Sequence, residues 1–332
     1  MNSNIIISSV TDAFQNLALE SLLFNTAKED TCYMYLWQNY NSVIIGKNQN
    51  PWKECNVSEL VLDKITLARR STGGGAVYHD LGNLNFSFVF PKKQYDLTNQ
   101  LNIIINTLKT FNLNAEFSGR NDILIDGAKF SGNAFLHNSK FSLHHGTLLV
   151  KSDFSMLKKY LTPSKLKIQS KGIKSVVSRV CNLSDFNSDI TIKTLMDELI
   201  KQWQLYFGES TIIDAQEFIS QHQDEYKPLY ETQSSWEWNH GKTPTFDVLL
   251  QDKFSWGEVD LYLTIKNSCI QKLQVYSDSL DTNISDEIEK FLVNKNINEI
   301  STNLPDNYNE QYKPIFLDII TLFSRQFDSE KD

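Results

Sequence analysis

The stretch Arg69-Arg70-Ser71-Thr72-Gly73-Gly74-Gly75-Ala76-Val77-Tyr78-His79-Asp80 constrains this chain more than any other. Three consecutive residues without Cβ let the backbone turn inward, bringing N–H groups closer to a ligand than other residues allow. Such a loop needs rigid elements on both sides, and it favours an anionic guest. Arg69 and Arg70 add charge and forked donors suited to a carboxylate or phosphate. The stretch is neither a Walker A loop nor a G-x-G-x-x-G fingerprint, so the glycines alone leave a flexible surface turn open as the alternative. The arginines and His79 turn the reading toward binding.

The flanking sequence supplies the rigid elements. Asp12 predicts the N-cap of a helix running to about Ala27, with Phe14, Leu17, Ala18 and Leu22 on one face. Tyr33–Trp37 and Ser42–Gly46 read as strands, and Ser58 to about Asp63 as a short helix. After the loop, Leu84, Phe86, Phe88 and Phe90 alternate with Asn85, Ser87 and Val89, the period of a half-buried strand that ends at Pro91. A helical stripe from Leu101 to Phe111 follows. Asp126-Gly127 signals a two-residue hairpin. On its second arm, strict alternation puts Lys129, Ser131 and Asn133 on one face, opposite Phe130 and Ala134. A third strand spans Phe141 to Val150, with His145 and Thr147 on the side of Leu143 and Leu149. This order predicts an α+β fold, with a twisted, largely antiparallel or mixed sheet packed by helices.

At 332 residues the chain exceeds the usual size of a single core, so two domains are expected, 1–244 and 245–332, divided near Pro244. In the first, Thr191–Phe207 predicts an amphipathic helix stopped by Gly208, with Ile192, Leu195, Leu199, Trp203 and Tyr206 in the core. Lys151 to Leu161 suggests another helix, and the basic Lys165 to Arg179 run reads by itself as a solvated face. The second is a small α+β unit with strands at Phe254–Ile265 and Ile270–Tyr276 and helices at Asp286–Val293 and Tyr308–Phe327. No apolar run is long enough to span a membrane and the start lacks a secretory pattern, so a cytoplasmic protein is expected. Cys32, Cys55, Cys181 and Cys269 are too scattered for a zinc site or a disulfide framework. A net charge of −8 argues against a nucleic-acid partner.

Several motifs act in combination: Arg69 to Asp80, Gly119-Arg120-Asn121-Asp122, Lys129-Phe130-Ser131-Gly132, His144-His145-Gly146-Thr147-Leu148, Lys171-Gly172-Ile173-Lys174-Ser175-Val176, and Ser234 to Asn239. Together they resemble lipoate–protein ligases of the long, two-domain kind. The resemblance implies that lipoate and ATP, with magnesium, give lipoyl-adenylate and pyrophosphate. The acyl group then passes to a lysine on a lipoyl domain of a 2-oxoacid dehydrogenase E2 subunit or on a glycine cleavage H protein. It places Lys129 between the acyl carboxylate and the α-phosphate as the catalytic residue. Arg70, Gly75, Ala76, Val77, Tyr78, Asp122 and Lys174 would hold ATP and the adenylate. Arg70, Ser71, Gly73, Gly74, Gly75, His79, Lys129 and His145 would surround lipoate. Asp122 would be a magnesium or adenine partner, and Lys171 to Arg179 a loop that orders over the adenylate.

Elementary chemistry agrees with these roles. A carboxylate must approach a polyanionic nucleotide, so the site needs cations and backbone donors to offset repulsion. Some residues keep a plainer reading: Asp122 also suits a turn cap, and His79 and His145 also suit a satisfied core. Two other functions stay open, acyl transfer through a Cys181 thioester and a non-catalytic lipoyl-binding protein. A biotin ligase would be expected to show a different arginine–glycine loop. A monomer is expected.

Overall fold

The computed structural model describes residues 1–119, 121–162, 180–241, 248–266, 269–297, 300, 304 and 308–327. In chain order its elements are β1 (Asn2–Ile7), α1 (Ala13–Thr26), β2 (Thr31–Trp37), β3 (Ser42–Ile45), α2 (Pro51–Glu54), α3 (Val57–Leu62), β4 (Thr66–Arg69), β5 (Val77–His79) and β6 (Asn83–Pro91). Next come α4 (Leu97–Thr110), β7 (Glu116–Ser118), β8 (Asp122–Ile125), β9 (Ala128–His137), β10 (Phe141–Leu149), α5 (Phe154–Tyr160), α6 (Ile192–Phe207) and β11 (Thr211–Asp214). The chain then forms α7 (Ala215–Gln221), α8 (Gln223–Ser234), α9 (Trp236–Asn239), β12 (Val248–Phe254), β13 (Gly257–Lys266), β14 (Cys269–Ser277), α10 (Ile284–Leu292) and α11 (Lys313–Phe327). None of the described helices is long and apolar enough to cross a membrane.

Among the described residues, eight strands form one mixed sheet in the order β11-β1-β2-β6-β10-β9-β8-β7. Strand β1 runs parallel to β2 and β11, while β6 is antiparallel to both β2 and β10. One face carries the Phe86, Phe88 and Trp203 core under α4 and α6. The other is covered by α1, α7 and α8. A second sheet, β4-β3-β5, holds the glycine loop between its outer strands. The third, β12-β13-β14, has its own core with α10 and α11. The α+β class and the mixed sheet are therefore as the sequence indicates, with three strands in the C-terminal unit where two were expected. The segment around Pro244 lies outside the described residues.

Two local expectations change for physical reasons. Every residue of β6 is buried, since helices cover both faces of the sheet, so its polar members Asn85 and Ser87 face the α1 side of the interior instead of water. Likewise α1 is buried around most of its circumference, including Asn16 and Glu20, because α8 closes over it. In α6, Leu195, Leu199 and Trp203 are buried as expected, but Tyr206 is 38% exposed.

The β8–β9 hairpin turns on Asp126 (φ 50°) and Gly127 (φ 73°), the left-handed pair that a two-residue turn needs. Beyond it the register shifts: Leu124 pairs with Lys129 but Ile123 with Ser131, so Phe130 is an extra, bulged residue. The bulge breaks the alternation expected for this arm. Lys129 lies on the side of Gly132, where a Cβ would stand 2.9 Å from Lys129 Nζ. Asn133 and Ser131 instead bond to each other at 3.3 Å, and Phe130 enters the core under α4. Gly127→Ala should cost about 1 kcal/mol, the penalty for a Cβ in left-handed backbone. A lower urea midpoint would show it; an unchanged midpoint would mean the turn relaxes.

Candidate functional site

The glycine loop stands over the β2-β6-β10-β9 region of the large sheet, enclosing a cavity of ≈ 140 Å³. Arg70, Gly74, Gly75, Ala76, Val77, His79, Lys129 and His145 line it, so most of the residues singled out in the sequence meet in one place. Tyr78 and Gly73 do not line it. Tyr78 packs into the small core behind β5, with its hydroxyl donating to Asn41 Oδ1 at 3.1 Å. Ser71 faces a separate cavity of ≈ 260 Å³ with Ser21, Phe24 and Gln233. Lys174 and the rest of the basic loop lie outside the described residues, as does Arg120.

The two arginines have different structural roles. Arg69 gives its guanidinium to the carbonyls of Gly46, Lys47, Gln49, Trp238 and Asn239 at 2.7 to 3.1 Å, while Trp238 Nε1 and Asn239 Oδ1 bond its backbone. This clamp accounts for the Trp-Glu-Trp-Asn motif of α9. Arg70 Nη2 donates to the carbonyls of Gly73 (2.7 Å) and Gly75 (2.8 Å), bracing the loop from inside. Burial lowers both guanidinium groups to about 10, which leaves them charged at neutral pH.

From Arg70 a single chain of hydrogen bonds crosses the site. Arg70 Nε donates to Thr72 Oγ1 (3.0 Å), which is hydrogen-bonded to His145 Nε2 (2.9 Å); His145 Nδ1–H then donates to Glu20 Oε1 (2.7 Å). Ser87 donates to the same carboxylate oxygen at 2.5 Å and accepts from Trp37 Nε1 at 3.0 Å. The carboxylate can only accept and the guanidinium can only donate, so the two ends of the chain have fixed directions. Glu20 is 1% exposed and is the acidic group that offsets the buried charge of Arg70.

Lys129 Nζ lies 2.6 Å from Asp122 Oδ1, with side chains 25% and 36% exposed. This is the most accessible charge pair at the cavity. Cys181 N donates to Lys129 O at 2.9 Å, so the chain after the basic loop is pinned beside the lysine. The Cys181 thiol is pushed up to about 11 by burial, donates to Ala128 O at 3.6 Å and does not line the cavity. It is not poised as a nucleophile. The loop is also held from the C-terminal unit: Gly74 N donates to Ser279 O at 2.9 Å, and a Cβ on Gly73 would meet that carbonyl at 2.2 Å. Gly75 has open space on its Cα instead.

Sequence reading missed Glu20, Trp37, Asn85 and Thr147. Thr147 was placed on the correct face but given no role. A buried glutamate on a helix has no periodic signature; its one available clue was a carboxylate among the apolar residues Leu17, Leu19, Leu22 and Leu23.

Residues 12–204 match the family described as "Lipoyl protein ligase A/B catalytic domain", and residues 243–314 match "Bacterial lipoate protein ligase C-terminus". A curated relative, lipoate-protein ligase A of Psychrobacter cryohalolentis, is 41% identical over 298 residues, 88% of each chain. The crystal structure of P. falciparum LipL1 in complex with lipoate superposes with a TM-score of 0.85 at 32% identity, covering 96% of this chain and 98% of that one. The bipartite lipoate protein ligase of Thermoplasma acidophilum, described with its E2 lipoyl domain, gives 0.63 at 28% identity, covering 75% of this chain and all (100%) of that one. Lipoate-protein ligase A bound with ATP gives 0.62 at 27%, covering 73% and 99%.

Two measurements test the electrostatics. Burial pushes His79 and His144 down to about 3, so the folded protein keeps both neutral while an unfolded histidine protonates below about 6.5. Their contribution to stability is therefore complete above pH 6.5 and declines as pH falls toward 3, by up to about 1.4 kcal/mol per unit for each. In a histidine-labelled sample, these two imidazoles should keep neutral NMR shifts at pH 5; titration of all six would refute the burial argument. Glu20→Ala strands Ser87, His145 and the Arg70 charge in the interior and should cost about 3–5 kcal/mol in urea unfolding. Glu20→Gln keeps an acceptor and should cost clearly less; equal losses would mean that only side-chain volume matters.

Proposed function

The chain belongs to the lipoate–protein ligase family, and on that premise we propose that it activates lipoate with ATP and transfers the lipoyl group to a lysine of a lipoyl domain. The observation that supports this most is the meeting of the Lys129 ammonium and the Arg70-braced glycine loop at one cavity. In the first step a carboxylate oxygen of lipoate attacks the α-phosphorus and pyrophosphate leaves. In the second, the amine of the carrier lysine attacks the acyl carbon and AMP leaves. No acyl-enzyme is formed.

Each described group contributes to this scheme. Lys129 donates to the carboxylate and to the α-phosphate oxygens as negative charge moves between them. Its partner Asp122 holds it at the cavity until substrate oxygens replace that carboxylate. Backbone donors from Gly75 to Tyr78 receive the phosphates, and their geometry depends on Arg70 holding the carbonyls of the same loop turned away. His79 and His145 border the acyl group.

Magnesium fits one place among the described residues. Asp122, whose Oδ1 is ion-paired with Lys129 Nζ at 2.6 Å, is the carboxylate that would hold it, and a single carboxylate with phosphate oxygens is the coordination this ion prefers. There it would neutralise charge on the triphosphate. The same proposal divides the chain into a catalytic unit, 1–244, and an accessory unit, 245–332, and takes E2 lipoyl domains or an H-type carrier as acceptors, with the enzyme acting as a monomer in the cytoplasm.

Pyrophosphate release with lipoate, ATP and magnesium measures the first step; mass spectrometry of a lipoyl domain measures the second. Lys129→Ala should lower both rates by about 10²–10³, the usual cost of losing a preorganised donor to developing charge. Its unfolding midpoint should match wild type, whereas Cys181→Ser should keep wild-type rates. Retention of activity by Lys129→Ala would remove the lysine from the mechanism. A hydroxylamine-sensitive acyl group on Cys181 would replace the adenylate route with a thioester.

A further inference from the structure

Two buried polar side chains lining the cavity have an atom that no described residue pairs with. His79 is 3% exposed and its Nε2 has no partner. The position of its proton follows from the residues behind it. Asn16 Nδ2 donates to the carbonyls of Val10 (3.0 Å) and Gln38 (2.9 Å) and to Asn39 Oδ1 (3.0 Å). Asn39 therefore presents its Nδ2 to His79 Nδ1, at 3.2 Å, and the neutral ring carries its proton on Nε2. Asn85 is 2% exposed; its Oδ1 accepts from Asn83 Nδ2 at 3.0 Å, and its Nδ2 is unpaired. Turning both amides over exchanges donor for acceptor but leaves the same edge of Asn85 unpaired. Both residues adjoin Trp37: the His79 ring meets it edge-on at 6.2 Å, and Asn85 is its strand partner.

These groups are displaced across the sheet from Lys129. Lys129 Nζ lies against Gly132, whose N–H donates to Thr147 Oγ1 at 3.2 Å; Thr147 in turn opposes Asn85. From β9 to β6 is two strand spacings, about 10 Å. An extended eight-carbon acid with its carboxylate at Lys129 thus ends near Asn85 and His79. A buried polar atom without a partner is costly, and two at the end of one cavity point to a ligand that supplies the missing partner.

Resting on the ligase reading above, we propose that His79 and Asn85 form a polar subsite for the far end of the acyl chain. The protein then selects acids whose terminus offers a hydrogen-bonding atom, such as a dithiolane sulfur or a hydroxyl, over saturated chains of equal length. Sulfur is a weak acceptor, whereas a hydroxyl accepts and donates, so the hydroxyl is the sharper probe.

The test compares 8-hydroxyoctanoate with nonanoate, acids of equal chain length that differ in a terminal hydroxyl against a methyl, with lipoate as reference. Pyrophosphate release by the full chain with ATP and magnesium gives kcat/KM for each. The hydroxy acid should exceed nonanoate by roughly tenfold, and Asn85→Leu should invert that preference by making the end of the cavity apolar. Wild type preferring nonanoate overturns the subsite, and this comparison decides the matter even if the variant does not fold. An Asn85→Leu protein that turns over lipoate with the wild-type preference overturns it as well. Release of pyrophosphate with none of the three acids overturns the ligase reading itself, and the subsite with it.

Discussion

The pairing of Arg70 with Glu20, carried through Thr72 and His145, is the interaction on which the site depends. A guanidinium buried under a glycine loop is costly unless its donors and its charge are both met. The loop carbonyls meet the donors, and Glu20 meets the charge from the far side of a histidine. The same carboxylate holds Ser87 and, through it, the Trp37 ring. A wall of the cavity and the curvature of the glycine loop are thus fixed by one buried anion, without that anion facing the cavity itself.

Much of the fold was legible because its signals are local. The Asp12 cap, the Asp126-Gly127 turn and the Thr191-to-Gly208 helix are each specified by a few adjacent residues whose backbone chemistry has one solution. Where several elements decide together, the sequence was less informative. Alternation in β6 correctly predicted a strand but not what lies beyond its polar face, since a helix rich in leucine can hide Asn85 and Ser87 as readily as water can expose them. The bulge at Phe130 likewise left no mark in the residue pattern, and it is the bulge that turns Lys129 toward Gly132.

The site divided along the same line. Residues in contiguous motifs, such as Arg70, Gly75, His79 and Lys129, were visible because short-range backbone demands keep them together. Glu20, Trp37 and Asn85 come from three separate elements and meet only after the sheet has assembled. Even the first arginine of the motif was legible in identity and not in role, since Arg69 serves carbonyls brought from two other segments. Basic residues beside a glycine run suggest a ligand, yet here their nearest partners are the protein's own carbonyls.

The grip of Ser279 on the loop concerns how the protein comes into being. Gly74 lies in the first quarter of the chain, and the carbonyl that receives its N–H lies in the last. During synthesis the large sheet can collapse once β11 and the helices α7 and α8 have left the ribosome, but the glycine turn then still lacks its acceptor and the neighbour that its missing side chain at Gly73 admits. While the C-terminal unit is being translated, a nascent chain therefore carries the large core with its glycine loop still unbraced by Ser279.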